Sequence, residues 1–205
     1  MATEPSRRPG RPGARRLSTR TLLIIAAFGA LGALLLILVA PVTAILAALF
    51  PPAYAVAAGV HSILPFLARR LVGFPWATTI AFSLVGLLAI GFTPLGALIL
   101  VPLVVGGAGF DVTLLVLGRR GPLRPWHYVA GALVTAVLLF LVSLPVMSPD
   151  DLAVPILLLT LLGRIAGQLA AAGIAWLLGD RVLRAGIMRA PAGERGDGGE
   201  PVLHP

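Results

Sequence analysis

Residues 151–178 read DLAVPILLLTLLGRIAGQLAAAGIAWLL, the only long apolar run of the chain with an arginine in its middle. Leu152 to Leu178 is 27 residues, and at ~1.5 Å per residue that length crosses a ~30 Å hydrocarbon core with some tilt. Gly163, Gly167 and Ala171 recur at every fourth position, a small-residue stripe that lets another backbone come close. Arg164 and Gln168, also four apart, share the adjoining face. A charge at that depth costs roughly 2.5–3.5 kcal/mol on insertion scales, so Arg164 is expected to face a cavity, a partner or a ligand rather than lipid.

The whole chain agrees with this reading. It is 58% hydrophobic and 12% charged over 205 residues, with a mean hydropathy of +0.99, a composition of polytopic membrane proteins rather than soluble domains. In a soluble chain the net charge of +8 would suggest nucleic acid. Here all sixteen basic residues are arginine, fifteen of them in tails, loops or helix ends, so the charge reads as topology and no nucleic-acid partner is expected. The absence of cysteine excludes disulfides and thiolate metal sites.

Around the opening run the chain divides into a basic, disordered cytoplasmic tail over 1–20, a six-helix transmembrane domain over 21–189 and a polar, Gly-rich cytoplasmic tail over 190–205. Thr21 to Ala40 is long enough to be an uncleaved first span. Pro41 to Phe50 is bounded by Pro41 and by Pro51-Pro52, which predicts an outer loop or re-entrant segment. A second span follows from Pro52 to Ala68 and is closed by Arg69 and Arg70; the third runs over Phe74–Phe92 and the fourth over Leu95–Leu117. The fifth covers Trp126 to Leu144, and the sixth ends at Asp180, Arg181, Arg184 and Arg189. The expected fold is therefore an all-α, six-transmembrane-helix bundle with both termini cytoplasmic, since this arrangement puts every arginine cluster on one side. Trp76, Trp126 and Trp176 fall at the same boundary, where amphipathic rings settle.

No catalytic constellation is present. The chain has no lysine and hence no Walker-type loop, no GxSxG and no HExxH; its histidines, His61, His127 and His204, are scattered. Asp111 is the only acid within a span, which rules out a pair of intramembrane aspartates. No enzyme activity, metal or cofactor is expected. By helix rise Asp111 lies ~10 Å from the cytoplasmic face and Arg164 ~24 Å, so a direct pair would need long-side-chain reach or water.

The first span carries AAFGALGA, in which Ala26/Ala30 and Gly29/Ala33 are small-xxx-small pairs suited either to packing within the bundle or to docking on another membrane protein. Together with six spans in about 200 residues, the segment GVHSILPFLARRLVGFPWA at 59–77, and Gly107-Ala108-Gly109-Phe110-Asp111, these pairs make the chain similar to the substrate-binding S components of energy-coupling factor (ECF) transporters. Within that family it most resembles the permeases for the thiamine precursor hydroxymethylpyrimidine, over residues 18–190. The last pattern usually reads G-x-G-x-E, and here aspartate takes the acid position. The resemblance implies a multi-pass protein of a prokaryotic cytoplasmic membrane that captures a vitamin-like molecule. It also implies work supplied by a transmembrane T component and two ATPase subunits, docked on Ala26, Gly29, Ala30 and Ala33. The alternative is a structural or assembly subunit of a membrane complex that binds no solute.

The polar residues able to converge on a ligand are Arg164, Gln168, His61 and Tyr54, with 41–50 as a covering lid. Arginine there favours an acceptor or anionic group, Gln168 fixes orientation, and Tyr54 or His61 stacks on a ring. The competing expectation pairs Arg164 with Asp111. Topology supplies the first test: tags inserted at 70, 120 and 190 should be cytoplasmic and a tag at 149 external, and an external tag at 120 would refute the six-span order.

Overall fold

The computed structural model describes residues 18–119, 121–148 and 152–186, in which helices are joined by short turns and no strand occurs. Helix α1, Thr19–Leu49, starts two residues earlier than the composition suggests because Ser18 caps it, its Oγ accepting from the Thr21 N–H at 3.1 Å. The helix then runs unbroken through Pro41 to a length of 31 residues. The outer loop or lid expected over 41–50 is therefore absent; the segment is the last turns of α1.

A proline ring removes one backbone hydrogen bond, which in water often ends a helix. In hydrocarbon every alternative path exposes more unpaired backbone, so the helix persists. Thr43 Oγ1, donating to the carbonyls of Val39 and Ala40 at 3.2 and 3.1 Å, adds local polar contacts just after the proline.

The chain turns at Phe50, whose extended backbone stops α1, and Pro51 occupies the first turn of α2, Pro51–Ala57. A tighter 3-10 stretch, Ala58–Ser62, joins it to α3, Ile63–Val72, so the second span is 22 residues with a break at mid-depth. Gly73, at φ 67°, ends α3 in the left-handed conformation and returns its N–H to the Arg69 carbonyl at 3.1 Å. Next come α4, Ala77–Ala89, with a 3-10 turn to Phe92; α5, Leu100–Gly118, preceded by a 3-10 turn from Gly96; α6, Pro125–Ser143; and α7, Val154–Arg184.

Five helical segments, Thr19–Leu49, Pro51–Val72, Gly96–Gly118, Pro125–Val146 and Val154–Arg184, are long and apolar enough to cross a membrane. The third expected span is the shorter apolar helix Ala77–Phe92, ~24 Å by helix rise. The ends of the two predicted tails, 1–17 and 190–205, lie outside the described residues, as do Arg120, Asp150, Asp151 and Arg189.

The helices close a ring in which α1 packs on α4, α4 on α5, α5 on α6, α6 on α7, and α7 on α2 and α3, which return to α1. Phe66, Phe82, Phe110 and Tyr128 fill the centre, with Phe66 stacked on Phe110 at 3.9 Å and edge-on to Phe82. Leu23, Leu34, Leu38, Leu162 and Leu177 lie on the outside, more than half exposed, as a lipid-facing surface requires.

The small residues of α7 act at its seam with α2. A Cβ on Gly163 would stand 2.6 Å from the Pro52 carbonyl oxygen, and one on Gly167 2.5 Å from that of Val56. Gly59 in the 3-10 stretch abuts the Gly167 backbone from the other side. Because backbone cannot yield as a side chain does, Gly167→Ala should lower thermal stability by at least the ~1–3 kcal/mol of ordinary overpacking. Gly173→Ala, whose Cβ meets nothing within 4 Å, should be neutral in the same melting experiment; equal melting of the two variants would refute the seam.

Candidate functional site

Two polar clusters are embedded in the apolar bundle. The first lies at the α2–α7 seam. Helix α2 begins beside Gly163, nine residues or ~14 Å along α7 from Val154, so its first turn meets the middle of α7 rather than its end. That offset carries Tyr54 to Arg164, whose guanidinium carbon is 5.2 Å from the ring centroid. Gln168 follows one turn later on α7, and His61 lies in the 3-10 stretch whose Gly59 abuts the Gly167 backbone.

Arg164 is 7% and Gln168 1% exposed. The Arg164 Nε, both amide atoms of Gln168 and His61 Nε2 are buried with no hydrogen-bond partner within the protein. Each such atom costs about 1–3 kcal/mol. Such atoms in a native fold are uncommon, and four of them belong to this set. The sequence-derived set Tyr54, His61, Arg164 and Gln168 thus occupies one neighbourhood, with one change of role: Tyr54 faces the guanidinium instead of standing free.

The second cluster is an ion pair with hydrogen bonds of its own. Asp111, fully buried on α5, accepts from the Thr79 N–H and from Thr79 Oγ1, both at 2.8 Å, and its other oxygen is 3.3 Å from Arg69 Nε. Arg164 is therefore not the partner of Asp111. Nor does Arg69 simply close its span at the membrane surface, as the Arg69-Arg70 doublet suggests, because its side chain is 5% exposed and turned into the bundle. Arg70 has the surface role, 3.7 Å from Asp180 and stacked at 3.8 Å over Trp176, while Arg184 also pairs with Asp180.

Arg69 and Thr79 are the residues that sequence reasoning missed. The available signal was depth: Arg69 and Asp111 both lie within about two turns of the arginine-rich ends of their helices. The expected docking set also divides. Gly29 and Ala33 are buried inside the bundle, Gly29 against Leu84 of α4, whereas Ala26 and Ala30 are exposed on the outer face of α1. Among the described residues no group of three His, Asp or Glu side chains could hold a metal ion.

A bundle of apolar helices long enough to cross a membrane has the form of a multi-pass membrane protein. No family model matches the sequence, and no curated protein matches it. A solved structure, described as the crystal structure of an S-component of ECF transporter, superposes with a TM-score of 0.75 at 20% identity, over 84% of this chain and 89% of that one. The chain has the fold of that S-component.

The buried ion pair gives a prediction. Asp111→Asn preserves shape but strands the Arg69 charge, and should destabilise the purified protein by ~3–5 kcal/mol, whereas Arg69→Met combined with Asp111→Leu should lose much less. A single variant that melts like the parent would show that the pair does not hold the fold.

Proposed function

We propose that this protein is the substrate-binding membrane subunit of an ECF-type importer for a vitamin or vitamin precursor, with hydroxymethylpyrimidine and thiamine as the leading ligands. The observation that carries this reading is the likeness of fold to an S-component along nearly the whole length of both chains. The orphaned polar atoms of Arg164, Gln168 and His61 support it, because a ligand-binding subunit needs such groups and a purely structural bundle gains nothing from them. In this reading Ala77–Phe92 completes six crossings in a prokaryotic cell membrane. The 21–189 bundle is flanked by cytoplasmic tails, as the arginine distribution favours.

The chain captures its ligand from outside, and a T component with two ATPase subunits performs the transport work, consistent with a sequence that has no lysine for a phosphate-binding loop of its own. Ala26 and Ala30, exposed and four apart on α1, are the part of the small-residue set free to meet the T component.

Co-expression with a T component and its ATPases tests both halves. The complex should co-purify, and Ala30→Leu should weaken it while leaving the ligand-induced rise in melting temperature intact. A protein that no vitamin or precursor stabilises and that captures no T component would instead fit an assembly subunit.

A further inference from the structure

Where α5 ends and α6 begins, the turn between them encloses a cleft of about 580 Å³, lined by Arg119, Arg124, Trp126 and His127 and walled by Val116 and Leu117. That volume lies within the ~300–1,000 Å³ of small-molecule sites. Pro125 starts α6, and the extended Arg124 before it forms one lip. The Arg124 N–H donates to His127 Nδ1 at 2.7 Å, and the His127 N–H donates to the Arg124 carbonyl at 3.0 Å. This exchange fixes the two residues together and leaves Nε2 as the donor of the imidazole. The Trp126 ring stacks on His127 at 4.0 Å and is 52% exposed.

The cleft is positively charged. Asp111 and Asp180, the acids among the described residues, face Arg69 and the pair Arg70 and Arg184. No described carboxylate therefore pairs with Arg119 or Arg124, and both are exposed. The ends of α5 and α6 that meet here carry helix dipoles of opposite sign, so the guanidiniums set the potential.

Membrane topology requires arginines near this boundary but no cleft around them. A second, apolar feature continues the cleft into the bilayer. Leu133 and Val137 follow Trp126 by seven and eleven positions, which puts them on the same face of α6. With Val134 and Leu138 they line a shallow groove of about 280 Å³, which begins ~10 Å below the cleft by helix rise. A charged head site above an apolar trough on one helix face has the outline of a phospholipid. A soluble anion, or an acidic segment of another protein, would fill the cleft and leave the groove unused.

We propose that the cleft and the groove together hold one anionic phospholipid of the leaflet on the arginine-rich side, with its phosphate at Arg119 and Arg124 and an acyl chain along Leu133 and Val137. The planar guanidinium binds phosphate oxygens through two parallel N–H bonds, and His127 Nε2 adds a third donor. A zwitterionic headgroup brings the same phosphate together with a cation, which two arginines repel, so a net negative charge is preferred. The proposal needs only the placement of the chain in a bilayer and is independent of its cargo.

The test is native mass spectrometry of the full chain in detergent, with added phosphatidylglycerol or phosphatidylcholine of the same acyl chains. One phosphatidylglycerol should be retained at least ~10-fold more tightly, about 1.4 kcal/mol. Arg119→Gln combined with Arg124→Gln should abolish that preference. Arg181→Gln, which removes an exposed arginine of α7 at the same end of the bundle, should keep it. Val137→Trp, filling the groove, should weaken both lipids and leave their ratio unchanged. Melting curves check that each variant folds, and the preference of the unaltered protein decides by itself should one fail. Equal retention of the two lipids by that protein, or an equal loss with Arg181→Gln, overturns the proposal in favour of unspecific charge. Displacement of the lipid by an equal concentration of sn-glycerol 3-phosphate overturns it in favour of a soluble phosphate. An Arg119 and Arg124 double variant that keeps the lipid preference but no longer captures the ATPase subunits overturns it in favour of an acidic protein surface.

Discussion

Asp111 is the acid on which the bundle turns. Its carboxylate collects the Thr79 N–H, the Thr79 hydroxyl and Arg69, and so ties α4 and α3 to α5 at one depth. In a bilayer the hydrophobic effect does not choose among helix arrangements, because lipid tails are as apolar as the helix surfaces. A buried charge chooses strongly, since any arrangement that separates Asp111 from these donors strands a charge in a low dielectric. The aromatic column follows from that choice: with α3 and α5 held together, Phe66 stacks on Phe110, and Phe110 meets Tyr128 edge-on.

The opposite half is held by backbone contact rather than charge. Gly163, Gly167 and Gly59 let α7 press against the carbonyls of α2, and the 3-10 stretch absorbs the change of phase this demands. Of the polar groups carried there, Arg164 Nε and both amide atoms of Gln168 find no hydrogen-bond partner in the protein. The contrast between the halves is one of charge: the Asp111 carboxylate has an arginine beside it, whereas the Arg164 guanidinium lies over the Tyr54 ring.

Much of this was legible in the residues. Apolar run lengths located the helices, because a membrane helix must satisfy its own backbone and cannot be short. Arg164 and Gln168 stood out because no other charged or amide side chain lies in Leu152–Leu178. Pro41 misled, since the expectation that proline ends a helix comes from water, where an open turn can be solvated. The Arg69-Arg70 doublet concealed the ion pair: adjacent residues on a helix point ~100° apart, and which of them faces inward depends on a helix phase that the 3-10 stretch resets upstream. The docking stripe divided for the same reason, with Ala26 and Ala30 outside and Gly29 and Ala33 inside.

The two clusters share one span, and this constrains how the molecule can move. Tyr54 and His61 lie on one side of, or within, the 3-10 break, and Arg69 lies two turns beyond it. Helix α3 is pinned by Asp111 and, through Arg70, by Asp180 and Trp176 of α7. Helix α2 is only seven residues long, and it packs on α7, α1 and the break itself. Of the two halves of this span, α2 is therefore the less tied, joined through Phe50 to the end of α1. Ala26 and Ala30 lie on the exposed face of that same α1, whose other face seats Ile25, Ala33 and Leu36 in the core, so α1 is held to the bundle along its length.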